Sequence, residues 1–120
     1  MDVIPVANRI ERKISELVDA RKGLAALARK KAMTAGAYAK KLAVVVVQLR
    51  NGQKLTINGQ TITDPPVSII DKLAKGVCSE EQIAMDLAEA QYKMAVEQLD
   101  CIRAELNGYQ SINRHLDVNS

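Results

Sequence analysis

An uninterrupted helical pattern over the first 50 residues constrains the fold of this chain more than any other feature. Apolar residues recur there at spacings of three, four and seven: Val6, Ile10, Ile14, Leu17, Leu24 and Leu27. A straight helix from Val6 to Arg50 spans ~60–70 Å, whereas a 120-residue globule has a radius of gyration of about 14 Å. We therefore expect either a break near Gly36 or a long helix with partners outside its own chain.

The end of this first helix is ambiguous in the sequence. Residues 42–50 contain four consecutive valines, which suit a buried strand as well as a helix. We favour a helix to Arg50 that ends at Asn51-Gly52, with the glycine in a left-handed cap. The alternative is a three-stranded meander with turns at Asn51-Gly52 and Asn58-Gly59.

A β-hairpin over residues 54–63 is the clearest local prediction. Asn58-Gly59 fits the two central residues of a type I′ turn. The register then pairs three couples of residues: Leu55 with Ile62, Thr56 with Thr61, and Ile57 with Gln60. The apolar face must dock elsewhere, because an isolated two-stranded ribbon is marginally stable in water.

The second half of the chain predicts two more helices. Asp64-Pro65 predicts the cap and first residue of a short helix over 65–75, which Lys75-Gly76 ends. Ser79-Glu80-Glu81-Gln82 resembles a capping box that opens a long helix over 79–112. The buried stripe predicted for that helix consists of Ile83, Leu87, Ala90, Met94, Leu99, Ile102 and Leu106.

These elements predict a mainly α fold in a single helical domain over residues 1–120. It is an antiparallel helical hairpin of two long helices (6–50 and 79–112), with the β-hairpin and the short helix at the connection. The first helix is basic and the last is acidic: residues 1–60 have a net charge of +8, and residues 61–120 have a net charge of −5. Opposite charges make pairing between the two helices plausible.

The basic clusters of the first helix are the main candidate binding surface. They recur about every nine or ten residues, and a row of this kind can contact phosphates or an acidic protein surface. The residues chosen are Arg21, Lys22, Arg29, Lys30, Lys31, Lys40 and Lys41. The plain alternative is a solvated helix whose cations face the acidic helix of the same molecule. The exposed hairpin tip is a second candidate, formed by Thr56, Asn58, Gly59 and Thr61.

Residues for catalysis or metal binding are sparse, so we expect no enzyme, no cofactor and no metal. His115 is the single histidine and lies near the C-terminus. Cys78 precedes a helix start, where a thiolate is favoured, but it has no fixed histidine nearby and reads as a small turn residue. Cys101 reads as a small core residue of the last helix.

The composition predicts a cytoplasmic protein that does not enter membranes. Two cysteines without a short-spaced partner indicate a reducing compartment. The start of the chain lacks the pattern of a signal peptide, and no segment reaches the ~20 apolar residues that cross a bilayer. Three tyrosines without Phe or Trp argue against a base-stacking nucleic-acid surface.

Three segments resemble small uncharacterised helical proteins of Gram-positive phages and prophages. They are Leu49-Arg50, the run Ile70-Asp71-Lys72-Leu73-Ala74-Lys75-Gly76, and the run Asp86-Leu87-Ala88-Glu89-Ala90-Gln91-Tyr92-Lys93. The likeness covers about residues 10–115 and departs from the group at the ribbon Lys54–Thr63. It implies a phage accessory protein that acts by binding, in the cytosol of the host cell.

The leading hypothesis is a non-catalytic phage protein that binds and blocks a host component, most plausibly part of an antiviral defence. Its target is a host protein or an anionic signalling nucleotide, and it self-associates as a homo-oligomer through the stripes of its long helices. The first alternative is a DNA- or RNA-binding accessory of phage recombination or replication. The second is a structural or assembly adaptor whose charges keep it soluble.

Overall fold

Two long helices dominate the computed structural model, which describes residues 3–119. In chain order the elements are α1 (Val3–Arg50), β1 (Leu55–Ile57), β2 (Gln60–Ile62), a 3-10 turn (Val67–Ile69), α2 (Ile70–Val77) and α3 (Ser79–Asn119). The fold is mainly α, an antiparallel hairpin of α1 and α3 with the small β-hairpin and the short helix at the connection. The predicted fold class is confirmed.

α1 is continuous, with no break at Gly36 and no strand in residues 42–50. The four consecutive valines made helix and strand hard to distinguish, but on the helix they point in different directions. Val45 is buried, while Val44 and Val47 are exposed. The helix ends as expected. Gly52 has a φ of 75°, its N–H donates to Leu49 O, and the N–H of Gln53 donates to Gln48 O. These two bonds form a Schellman cap, which satisfies carbonyls at the helix end.

The ribbon has the predicted register, with Leu55 opposite Ile62, Thr56 opposite Thr61, and Ile57 opposite Gln60. Asn58 and Gly59 have φ values of 49° and 80°, as a type I′ turn requires. Leu55 and Ile62 pack against the buried cluster described below. The docking expected for the apolar face is therefore present.

The predicted start and end of the short helix are wrong. The 3-10 turn and then α2 begin after Pro66, whereas Asp64 has a φ of 46° and caps no helix. α2 also runs past Gly76 to Val77, with Cys78 as its C-cap. The local sequence Asp-Pro is typical of a helix start, but the chain first completes the turn that leads out of the ribbon.

α3 begins at Ser79, as predicted, and extends beyond the predicted end. Cys78 O accepts the first helical bond from the N–H of Gln82, so Ser79 is already the first helical residue. The helix continues through Gly108 to Asn119 rather than ending at residue 112. A single glycine in a helix costs only about 1 kcal/mol, which does not stop it.

The chain divides into two compact units. Unit 1 combines the chain up to Arg29 with the chain from Ala90 onward, and unit 2 is Lys30–Glu89. Unit 2 holds one cluster of buried residues, which α1, α2 and the residue between α2 and α3 contribute: Val45, Leu49, Ile70, Ala74 and Cys78. Ala74 and Cys78 are small enough to let these elements approach closely.

Unit 1 is a pair of helical segments with a thinner interior. Val6, Leu99 and Ile102 are its buried hydrophobic residues among those described, while Leu17 and Leu24 are half-buried. Ile14, which the predicted stripe of the first helix includes, is 45% exposed.

The predicted buried stripe of the last helix is wrong in its first half. Ile83, Leu87, Ala90 and Met94 are exposed, and Leu99 and Ile102 are buried. Cys101, predicted as a core residue, is also exposed. The face turned inward within unit 2 carries Ala88 instead, because a small side chain allows close packing there.

Candidate interaction surfaces

Three of the predicted basic residues lie together on the solvent side of α1 in unit 1. Arg21, Lys22 and Arg29 are exposed, and none of them forms an ion pair with a residue that the structure describes. Lys22 and Arg29 are seven residues apart and therefore share one face of the helix. We call these three residues the basic surface of unit 1. They do not face the acidic helix.

The other four predicted basic residues belong to unit 2 and differ in their surroundings. Lys30 and Lys40 are exposed, and Lys31 is half-buried. Lys41 is half-buried and donates from Nζ to Glu81 Oε1 at 2.6 Å, so it joins α1 to α3. Lys41 therefore supports the structure of unit 2 and is not part of a free cationic surface.

The hydrogen bond between Lys41 and Glu81 shifts both groups towards their charged forms. It raises the pKa of Lys41 and is the main cause that lowers the pKa of Glu81. A backbone N–H at the start of α3 adds to the lowering for Glu81, as expected for a carboxylate at a helix N-terminus. The second carboxylate oxygen, Oε2, is buried and has no hydrogen-bond partner among the residues that the structure describes.

Unit 1 contains the corresponding interhelical ion pair. Lys13 Nζ lies 2.6 Å from Glu105 Oε2 on α3 and 3.0 Å from Glu16 Oε2 on its own helix. The hydrogen bond to Glu105 is the largest cause that raises the pKa of Lys13. The expectation that the basic and acidic helices pair is met by specific residues. Lys41 was among the predicted contact residues and Lys13 was not, and the sequence did not distinguish either from the exposed cations.

The hairpin tip is exposed at every predicted position. Thr56 and Thr61 stand opposite each other on the face turned away from the core, and Asn58-Gly59 forms the turn. Leu55 and Ile62 hold the opposite face against the cluster of unit 2. The tip is therefore a small polar surface on an anchored ribbon.

A groove between α1 and α3 in unit 1 was not predicted. Its volume is about 340 Å³, and its apolar lining consists of Ala20, Gly23, Leu24, Leu27, Ala95 and Ile102. Its polar lining residues are Glu16, Asp19 and Gln98. A neighbouring depression of about 430 Å³ shares Leu27, Ala95 and Gln98 and adds Met94, which is 68% exposed. We call the two together the side groove.

Small residues on facing helices are the signal that could have revealed the side groove. Ala20 and Gly23 on α1 and Ala95 on α3 leave space that larger side chains would fill. These positions are about 70 residues apart in the chain. Their juxtaposition needed the pairing of the helices to be known first.

An exposed apolar stripe on α1 in unit 2 was also missed. It consists of Met33, Ala37, Lys40, Val44 and Val47, spaced alternately by four and three residues. Met33, Val44 and Val47 are 65%, 48% and 56% exposed. We call these five residues the outer stripe. Its spacing is that of a coiled-coil seam, and the structure of one chain leaves it uncovered.

The residues considered for chemistry lie apart. Cys78 is completely buried, and burial raises the pKa of its thiol, which disfavours the reactive thiolate. Within residues 3–119, no group of three or more His, Cys, Asp or Glu side chains is placed to hold a metal ion. The prediction that the protein is not an enzyme rests on the sequence argument given above.

One finding bears on the expectation that the chain does not enter membranes. Of the helices in the described part of the chain, α1 alone has a segment long and apolar enough to cross a bilayer by length and composition, and 11% of that segment is buried. Core helices of soluble proteins pass the same test, so composition alone does not assign α1 to a membrane.

Comparisons of the chain with protein-family models, with curated protein sequences and with solved structures find no match.

Proposed function

We propose that this chain is a non-catalytic phage accessory protein that binds and blocks a host component, an inhibitor of antiviral defence being the leading candidate. The observation that carries the proposal is the basic surface of unit 1. Arg21, Lys22 and Arg29 are exposed and have no acidic partner among the described residues. The resemblance of three segments to phage proteins supplies the biological setting.

The basic surface is suited to an acidic partner. Its three cations stand on one helix, so their backbone positions are fixed before binding and little order is gained on contact. Like charges held close together repel one another, and an acidic protein surface removes that repulsion while it accelerates association. Within unit 1 of the same chain, the acidic helix α3 forms its ion pair with Lys13 and not with these three cations.

An acidic protein fits this surface better than a nucleic acid does. Proteins that bind single strands combine cations with exposed aromatic rings. Here all three tyrosines are half-buried, and Tyr109 lies beneath the guanidinium of Arg9 at 5.9 Å. The cations thus lack stacking partners, although they could still contact phosphates.

The test is a charge reversal with a matched control. The variant R21E/K22E/R29E changes the basic surface, and K54E/K72E/K75E makes the same charge change at three exposed lysines of unit 2. Each protein is expressed in bacterial strains that carry single defined antiviral defences, and the plaquing efficiency of a defence-sensitive phage is measured. We expect the wild type and the control to raise plaquing in at least one strain and the first variant to lose this effect.

If both variants protect the phage as well as the wild type does, the basic surface is not the contact. The hairpin tip is then examined with T56A/T61A, which leaves the apolar face of the ribbon intact. If the wild type has no effect in any strain, the anti-defence proposal is contradicted.

The alternative of a nucleic-acid accessory is tested separately by fluorescence anisotropy with labelled single- and double-stranded oligonucleotides. Binding that weakens steeply with salt, and that R21E/K22E/R29E abolishes, would make the cations phosphate contacts. No binding at low salt would favour the protein or small-ligand target.

A further inference from the structure

The outer stripe of unit 2 has the pattern of a helix that packs against further helices. Its spacing alternates between four and three residues over Met33–Val47, which keeps one seam facing a partner. This seam is distinct from the inner face of α1, where Val45 and Leu49 enter the buried cluster. One charge interrupts it, at Lys40, which is exposed and has no ion-pair partner among the described residues.

The side groove of unit 1 has complementary properties. Its walls repeat at the same spacing, with Ala20, Leu24 and Leu27 on α1 and Ala95, Gln98 and Ile102 on α3. Three of its lining residues, Ala20, Gly23 and Ala95, are small, which lets another backbone come close. Of its two acidic lining residues, Glu16 contacts Lys13, whereas Asp19 forms no ion pair with a described residue.

We propose that the side groove of unit 1 binds the outer stripe of a second copy of this chain. The apolar side chains of Met33, Val44 and Val47 then cover the groove in a helix-in-groove contact. Lys40, the single cation of the stripe, then supplies the positive partner that Asp19 lacks among the described residues of its own chain. The inference is independent of the proposed function, since it uses none of the residues of the basic surface.

A second copy is favoured over an unrelated partner because the chain itself carries both halves of the match. The groove is mostly apolar with two acidic lining residues, and the stripe is apolar with one cation. Both recur with the heptad spacing that knobs-into-holes packing requires. The two surfaces are different, so the contact is heterologous, and assembly continues beyond two copies unless a ring closes.

Complementation between two blocked variants tests this contact. V44E/V47E blocks the stripe at two exposed positions. G23R blocks the groove at a glycine that lines it and whose added Cβ meets no atom within 4 Å, so the backbone leaves room for a side chain to begin there. V67E is the control, since Val67 is 81% exposed and belongs to neither surface. Circular dichroism verifies that each variant is folded.

The mass in solution is measured by light scattering after size-exclusion chromatography. We expect the wild type and V67E to exceed one chain mass, and V44E/V47E and G23R each to run as monomers of 13.1 kDa. An equimolar mixture of the two blocked variants should form a pair of about twice 13.1 kDa, because one intact groove meets one intact stripe. A wild-type monomer at micromolar concentration, or a mixture that stays monomeric, overturns the proposal.

A charge exchange adds a sharper test of register. D19K and K40D should each weaken the association about twofold to fivefold, as expected for one exposed ion pair. The double variant D19K/K40D should regain wild-type association, because the opposite charges meet again. If the double variant is weaker than either single one, Lys40 does not meet Asp19. Flotation of monomeric wild type with phosphatidylglycerol vesicles would assign the stripe to a lipid surface and overturn the second-copy proposal.

Discussion

Unit 2 encloses a cluster of side chains, whereas unit 1 leaves a groove open. In unit 2, α1, α2 and Cys78 bury Val45, Leu49 and Ala74 to 5% exposure or less, and the ribbon covers them further. In unit 1, α1 and α3 alone meet, and the side groove remains between them. A third element is therefore what separates a closed core from an open surface in this fold.

This difference indicates a division of roles. A helix pair has one inner seam per helix, so side chains beside the seam stay accessible unless another element covers them. In unit 2 the β-hairpin and α2 cover the buried cluster and leave the outer stripe exposed. Unit 1 has no such element among its described residues, and it carries the basic surface as well as the groove. Stability should therefore depend mainly on the cluster of unit 2, whereas unit 1 contributes the basic surface and the side groove to binding.

The largest expected contrast is the reactivity of the two cysteines. Cys78 lies in the cluster of unit 2, and Cys101 is exposed on α3 in unit 1. We expect Cys101 to react with a thiol reagent on the order of 10³-fold faster, because Cys78 must wait for an opening of unit 2 and burial also raises its pKa. The reaction is followed by absorbance, with C101S isolating Cys78. Equal rates in the folded protein would contradict the closed core.

Truncation of leucines should show the same contrast in stability. L49A removes a side chain that is 2% exposed in the cluster of unit 2, and a loss of about 2–5 kcal/mol in the free energy of unfolding is expected. L24A truncates a half-buried leucine beside the groove of unit 1, with an expected loss of about 1 kcal/mol. Urea unfolding followed by circular dichroism measures both. A greater loss for L24A would reverse the proposed roles of the units.

Two glycines sharpen the comparison at the backbone level. G52A should destabilise by about 1–2 kcal/mol, because Gly52 has a left-handed φ and its added Cβ would lie 2.8 Å from Asp64 Oδ1. G23A should stabilise by about 0.5–1 kcal/mol, since Gly23 is helical and its Cβ meets open space. Thermal unfolding of both variants gives the signs. Stabilisation by G52A would mean that the Schellman cap is not retained in solution.

The parts of the fold that local backbone chemistry determines were predictable from the sequence. Asn58-Gly59 requires positive φ at both turn positions, which fixed the register of the ribbon, and Gly52 ended α1 for a similar reason. Asp64 shows the limit of this reasoning. Its side chain suits a helix cap, but its own φ of 46° belongs to the turn after the ribbon.

The inward face of α3 was not predictable in the same way. Two stripes of equal period run along the first half of this helix, and the more apolar one, with Ile83, Leu87 and Met94, is exposed. The inner face carries Ala88 instead, because its small side chain allows the helices to pack closely. The side groove could not be predicted for a related reason, because it arises where Ala20 and Ala95 meet across two helices.

The smallest expected change in stability comes from the ion pairs that join α1 to α3. In unit 2 this change should depend on pH. E81Q removes the acceptor of Lys41 in unit 2. The pKa of Glu81 is lower in the folded chain, so its stabilisation is present above the unfolded pKa, near 4.5, and is lost as the pH falls through the lower folded value. The urea midpoint of E81Q should therefore lie below that of the wild type at pH 7, and the two should converge at acid pH below that value.

The matched variant in unit 1 is E105Q. Lys13 keeps Glu16 at 3.0 Å when Glu105 is changed, whereas Lys41 forms no second ion pair with a described residue of unit 2. E105Q should therefore shift the midpoint at pH 7 less than E81Q does. A shift for E81Q that persists unchanged at acid pH would show that packing of the side chain, and not its charge, holds α1 to α3 in unit 2.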